Sequence, residues 1–367
     1  MIKKDESSGR LDWIDLAKFL AILIVLMNHA GLQVPLVNFW GGMFYVPLFF
    51  VLSGFLWRPK EESYRSFVRK KARRLLLPFL LTNLILVGIY LAADVIRGTY
   101  ADTLLRSVGF VYGRNQLYSA RDTLFPGVLG KNIYFMTALN APTWFLPALF
   151  LTVIFMEALF RLANRKKKTD DLFALLVVSI DALLAVLWSY LTPVLLPWSL
   201  EALPFFMMFF LLGFILSRQG GWDYLVKRPV NFVVMFVILF VGGTLNGSSN
   251  FSVGEYGQSV MLANLNALLA SVLIMFICYM LRGHVPGILS CAGQKTLPLL
   301  CWHFPILTAM ELVRTKLFPS MGEIAADVLK AAEIAVTICV ICFADSLLHN
   351  FLERKKKTIQ ETGTEVQ

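Results

Sequence analysis

The sequence predicts an all-α integral membrane protein of about ten transmembrane helices, with both termini in the cytoplasm. Three observations carry that expectation. Hydrophobic residues make up 57% of the 367 and charged residues only 16%, against roughly a quarter charged in an ordinary soluble domain. The apolar residues fall in blocks of about 17 to 25, the length a helix needs to cross roughly 30 Å of hydrocarbon. Lys and Arg are spread unevenly over the segments that join those blocks. A soluble chain could not hide this much apolar sequence without contiguous sticky patches, so disorder, a secreted disulfide scaffold and a free cytosolic enzyme are all disfavoured. Helices rather than strands follow because hydrocarbon satisfies no backbone N–H or C=O, and no alternating barrel pattern is present.

In order, the expected spans are 13–32, 39–57, 75–93, 141–160, 172–191, 200–216, 230–246, 258–281, 296–313 and 324–348. The first is not a cleavable signal, since Asp15 and Lys18 interrupt its start and no small-residue cleavage site follows. Residues 1–12 form a cytoplasmic N-terminus, 13–348 one ten-span domain and 349–367 a cytoplasmic tail. That arrangement puts 25 of the 34 Lys and Arg on inner segments and 7 on outer ones, the positive-inside pattern. The net charge of +10 is then mostly topology and contact with anionic membrane lipids, and no recognition pattern argues for nucleic acid. Segment 58–74 is a short, strongly basic inner loop. The one long outer connection, 94–140, carries Tyr100, Tyr112, Tyr118 and Tyr134 with Arg97, Arg106, Arg114 and Arg121. Such a composition suits stacking on sugars or holding an acid, and equally a solvated cap. Of the five cysteines, Cys278, Cys291, Cys301, Cys339 and Cys342, all but Cys291 fall in spans. They read as small helix-packing residues, and no metal site is expected of them.

Ionisable groups inside a membrane helix are expensive and point to function by default. The first span, WIDLAKFLAILIVLMNHAGL, carries Asp15, Lys18, Asn28 and His29. Lys18 and His29 are eleven residues apart. At about 100° per residue this returns to within roughly 20° of the same face, about 16 Å further along the axis. Asp15 lies one turn before Lys18, within pairing distance. A carboxylate, an amine and an imidazole therefore share a stripe, the first two near the inner surface and His29 toward the outer one. A snorkelling lysine and an interfacial histidine are the plain alternative. Glu201 opens the sixth span, where a helix N-terminus favours an acid, as a cap or as a sugar contact. Trp144 suits an aromatic belt or a channel wall. His303 lies mid-span, and Ser53 with Gly54 offers a small surface for close approach.

Several further stretches stand in order along the chain. FWGGMFYVPLFFVLSGFLW follows the first span, then come the basic segment and RRLLLPF, then TWFLPALF, ALPFFMMFFLLGFIL and TLPLLCWHFPIL. With Lys18 and His29 they resemble the membrane-bound acyltransferase family 3, in its sugar O-acetyltransferase branch (fucose 4-O-acetylase-like), from Asp15 to His303. The resemblance implies an enzyme, an O-acyltransferase moving acetyl from acetyl-CoA to a hydroxyl of a cell-surface or lipid-linked carbohydrate. It implies the plasma (inner) membrane of a bacterium, acyl-CoA as co-substrate, no bound cofactor and no metal. The family's basic residue ten positions clear of a histidine corresponds to Lys18 and His29, with Lys where Arg is frequent. Its pair of arginines after the second span corresponds to Lys71 and Arg74, with Arg69 and Arg73 alongside. Lys18, Arg69, Lys71, Arg73 and Arg74 would then bind the donor's phosphates, although such clusters also set topology. His29 would then be the catalytic residue, as a base toward the acceptor hydroxyl or as a nucleophile acylated in passing. Asp15, Ser53, Trp144, Glu201 and His303 support the site or meet the acceptor. With only a short tail after the tenth span, glycan-assembly proteins are expected as partners.

The competing class is a multi-pass secondary transporter or exporter of a small molecule. Ten spans, intramembrane charge and the kink-forming Pro47, Pro78, Pro147 and Pro204 speak for it. Against it, the ionisable stripe lies on one helix and the strongest cationic segment faces the cytoplasm. A non-catalytic scaffold would need neither Lys18 nor His29.

Overall fold

The computed structural model describes residues 11–59, 61–97, 103, 107, 109–114, 140–165, 170–191, 195–218 and 220–364, and every regular element among them is helical. Tyr100, Arg106, Tyr118, Arg121 and Tyr134 of the long connection lie outside the described residues. In chain order the helices are α1 Asp12–His29, α2 Pro35–Phe44, α3 Pro47–Phe55, α4 Tyr64–Arg97, α5 Phe145–Arg165, α6 Asp170–Leu191 and α7 Leu203–Ser217. They continue with α8 Gly221–Val226, α9 Pro229–Asn246, α10 Val260–Met280, α11 Gly287–Gln294, α12 Thr296–Leu317 and α13 Glu323–Thr364. Among the described residues seven helices are long and apolar enough to cross a membrane, or eight if the bent pair α2–α3 is one span. The chain divides into two compact units, Met1–Gln33 with Gly283–Gln367, and Val34–Arg282.

In the first unit α1 opens with Asp12 and Asp15 in its first turn, where unsatisfied N–H groups favour acids. Asp12 Oδ2 accepts the Gly283 N–H at 2.7 Å. α11 lies backbone to backbone with α1, because a Cβ at Gly293 would overlap the Asp15 carbonyl. Polar contacts fasten α13 to α12 and to Lys295 just before it. Lys295 Nζ donates to the Cys342 carbonyl at 2.8 Å and pairs with Asp345 at 3.0 Å, and Arg314 pairs with Glu333 at 2.9 Å. Lys330 Nζ reaches the Gly31 carbonyl at 2.9 Å, tying α13 to the chain just past α1. α13 runs on through Arg354 and Lys355 to Thr364. The first part of the expected tail is therefore helical, since its charged straight-chain residues are good helix formers.

In the second unit the expected second span is broken. α2 and α3 meet at a 45° bend, where Pro47 starts α3 and its missing N–H interrupts the ladder. The basic segment expected as a loop is instead the opening of α4, which is continuous from Tyr64 to Arg97. RSFVRKKARR contains neither Gly nor Pro and is rich in helix formers. α3 and α7 cross with their backbones in contact. A Cβ at Gly54 would overlap the Phe210 carbonyl, and one at Gly213 the Val51 carbonyl. Phe67, Met156, Phe160, Met207, Phe210 and Phe214 belong to the buried core beside that crossing. Away from the core, α4 exposes Leu80, Leu81, Leu84, Ile85 and Ile89, and α9 exposes Val233, Val234, Phe236 and Val237. Apolar faces of this extent would drive aggregation in water and are ordinary in lipid.

Candidate active site

Within the first unit α1 and α12 bring two histidines together. His29, in the last turn of α1, is half-buried, whereas His303 on α12 has 0% exposure. His29 Nδ1 lies 3.0 Å from His303 Nε2. His303 Nδ1 lies in turn 2.7 Å from the Leu299 carbonyl oxygen, one turn earlier on α12. The ring centres are 5.1 Å apart with the planes tilted by 37°, and Phe304 packs against His29 in a T-shaped contact at 5.2 Å. Two imidazoles hydrogen-bonded in line beside an aromatic ring form a unit able to accept, hold and return one proton. The sequence names both residues separately, but 274 positions divide them, and no local spacing connects them.

Near the other end of α1, Lys18 Nζ pairs with Asp15 at 3.2 Å. Asp15 is 1% exposed, so the carboxylate lies inside the protein and the amine above it. On the same helix His29 follows about 16 Å along the axis.

In the second unit the first turns of α4 carry Arg69, Lys70, Lys71, Arg73 and Arg74. Arg69, Arg73 and Arg74 are exposed and Lys71 is half-buried, with its Nζ 5.3 Å over the Phe67 ring. Lys70 pairs with Glu62 at 2.6 Å. Arg69 and Arg73, like Lys70 and Arg74, are one turn apart. Like charges stacked this way repel each other and gain from a polyanionic partner.

A further cluster joins Glu201 and Trp144 through Arg114, which the sequence lists only among several loop arginines. The buried Arg114 side chain pairs with the Glu201 carboxylate, donates to the Ser252 carbonyl at 2.9 Å and lies 5.6 Å over the Trp144 ring. Glu201 also accepts the Leu196 N–H at 2.9 Å. Burial pulls the Arg114 guanidinium down to about 10, so it remains cationic at neutral pH. The sequence also passes over Glu157. It is 2% exposed, accepts the Trp57 indole N–H at 2.8 Å and pairs with Arg161 at 2.7 Å. Ser53 donates its hydroxyl to the Phe49 carbonyl of its own helix at 2.7 Å. Among the described residues no group of three or more His, Cys, Asp or Glu side chains could hold a metal ion.

The apolar helices define a multi-pass membrane protein, and a hydrogen-bonded pair of imidazoles lies between two of its helices. The acyltransferase-domain model of acyltransferase family 3 matches residues 11–344, and the chain belongs to that family. It is thus a membrane acyltransferase. No curated protein and no solved structure matches the chain.

Proposed function

We propose that this acyltransferase moves acetyl from acetyl-CoA to a hydroxyl of a cell-surface or lipid-linked carbohydrate. It does so from ten spans with both termini in the cytoplasm, in the plasma membrane of a bacterium. The observation that carries the reading is His29, half-buried at the end of α1 and hydrogen-bonded to a second imidazole. The acceptor oxygen attacks the thioester carbonyl carbon while its proton passes to His29. The C–S bond breaks, and the departing thiolate recovers that proton from the imidazolium. An acetyl ester, the coenzyme thiol and a neutral ring remain, so His29 is unchanged after each turnover.

The donor is polyanionic. Arg69, Lys71, Arg73 and Arg74 on α4 suit its phosphates, and the ten-span topology places those turns on the cytoplasmic side where acyl-CoA is found. In the first unit Lys18, held by Asp15, is a cation that by itself suits a phosphate. Trp144 and Glu201 are engaged with Arg114, which supports a role in shaping the acceptor side rather than in direct contact. Ser53 supports the packing of α3, and glycan-assembly proteins are the partners that would supply the acceptor.

Purified protein in liposomes with labelled acetyl-CoA and candidate glycans tests the reading. Label bound covalently to glycan is the expected result. Uptake of a small molecule into the vesicles without covalent transfer would establish the transporter alternative instead. In the same assay Arg74→Ala raises KM for acetyl-CoA several-fold and leaves KM for the glycan nearly unchanged, as loss of a phosphate contact requires. Equal donor KM in mutant and wild type would remove Arg74 from the donor site.

A further inference from the structure

We infer that His303 is a positioning residue that fixes which nitrogen of His29 carries the proton, so that only Nε2 of His29 is left to act as the base. This deepens the acyl-transfer reading and rests on it. A carbonyl oxygen only accepts, so the 2.7 Å contact with Leu299 requires the proton of His303 to sit on Nδ1. His303 has 0% exposure, and an uncharged ring is favoured in such a place. Its Nε2 therefore holds a lone pair and accepts. His29 Nδ1, 3.0 Å away, must then be the donor, and because the backbone of Val25, one turn earlier on α1, also hydrogen-bonds the His29 ring, His303 shares the anchoring of that proton. With that proton on Nδ1, the lone pair of a neutral His29 is on Nε2, the opposite edge of the ring.

The chain of bonds runs from the Leu299 carbonyl through both rings to a single basic atom. When Nε2 takes the hydroxyl proton, the new charge meets a hydrogen bond that already exists, from Nδ1–H to His303. An acid performs this orienting task behind the histidine of a hydrolase triad. Here the acceptor is neutral, so the imidazolium is held in place without being trapped as a salt and returns its proton to the thiolate.

Four histidines occur in the chain. Nitrogen-15 spectra of histidine-labelled protein in membranes, with His284→Asn and His349→Asn removing two signals, read the tautomers directly. Both remaining rings are expected to be protonated at Nδ1 and bare at Nε2 at neutral pH. A proton found on Nε2 of His29 overturns the inference, whatever the activity. In kinetics, His303→Leu lowers kcat by about a hundredfold, within the range a positioned base contributes, and leaves KM for acetyl-CoA within about twofold. His303→Gln, whose amide oxygen can accept from His29 Nδ1–H, restores at least about a tenth of the wild-type rate. Wild-type kcat in His303→Leu, or equal loss in both variants, overturns it. His29→Ala is the control. Transfer that survives His29→Ala removes the acyl-transfer reading itself, whereas its loss beside full activity in His303→Leu removes only the role of His303.

Discussion

Arg114 and Glu201 are both withdrawn from water, and removing one partner of such a pair leaves an uncompensated charge in a medium that solvates it poorly. Arg114→Ala should therefore destabilise the second unit by about 3–5 kcal/mol, measured by chemical unfolding in detergent. Arg114→Met combined with Glu201→Leu should recover part of that loss, because no charge is left unpaired while the Ser252 carbonyl and the Leu196 N–H still lose their partners. A single mutant as stable as wild type would show that the pair is solvated after all. At this scale the sequence displays what is close in the chain. Asp15 and Lys18 stand three apart, and their pairing is legible from helix geometry alone. His29 with His303, and Arg114 with Glu201, are contacts made by folding, between residues whose separation carries no period. Glu157 pairs with Arg161 four residues on, a spacing that helix geometry also makes legible, whereas its contact with Trp57, a hundred positions away, is made only by folding.

At the level of helices, the crossing of α3 and α7 depends on two positions where any side chain would enter the opposing backbone. Gly54→Val should abolish a monodisperse peak on size exclusion in mild detergent. Gly88→Ala on α4, where a Cβ meets open space, should preserve the peak and add up to roughly 1 kcal/mol through helix propensity. Both variants eluting normally would mean that the crossing is looser than its geometry. Hydropathy locates where helices lie far better than where they end. α4 starts well before its apolar stretch because Arg and Lys extend a helix as readily as Leu does. α13 passes through its basic residues for the same reason. The bend between α2 and α3 is visible in the sequence only as Pro47, and a proline at N1 of a helix is equally compatible with a straight entrance.

For the molecule as a whole, the apolar composition makes the all-helical class legible, and the charge asymmetry supplies an orientation that can be tested from outside. In a background lacking all five cysteines, Gln258→Cys should react with a membrane-impermeant maleimide on intact cells. Lys227→Cys should react only after the membrane is opened. The reverse pattern would invert the proposed topology, and with it the cytoplasmic placement of the α4 cations. The division into two units was not visible in the sequence, because the first unit joins α1 to helices from the far end of the chain. In the proposed mechanism the ring of His29 carries the proton of the reaction. Its most direct test is the rate of acetyl transfer to glycan by purified His29→Ala, matched to wild type for amount and elution profile. A fall of about a hundredfold or more is expected, the contribution of a positioned general base. Transfer at the wild-type rate would contradict it.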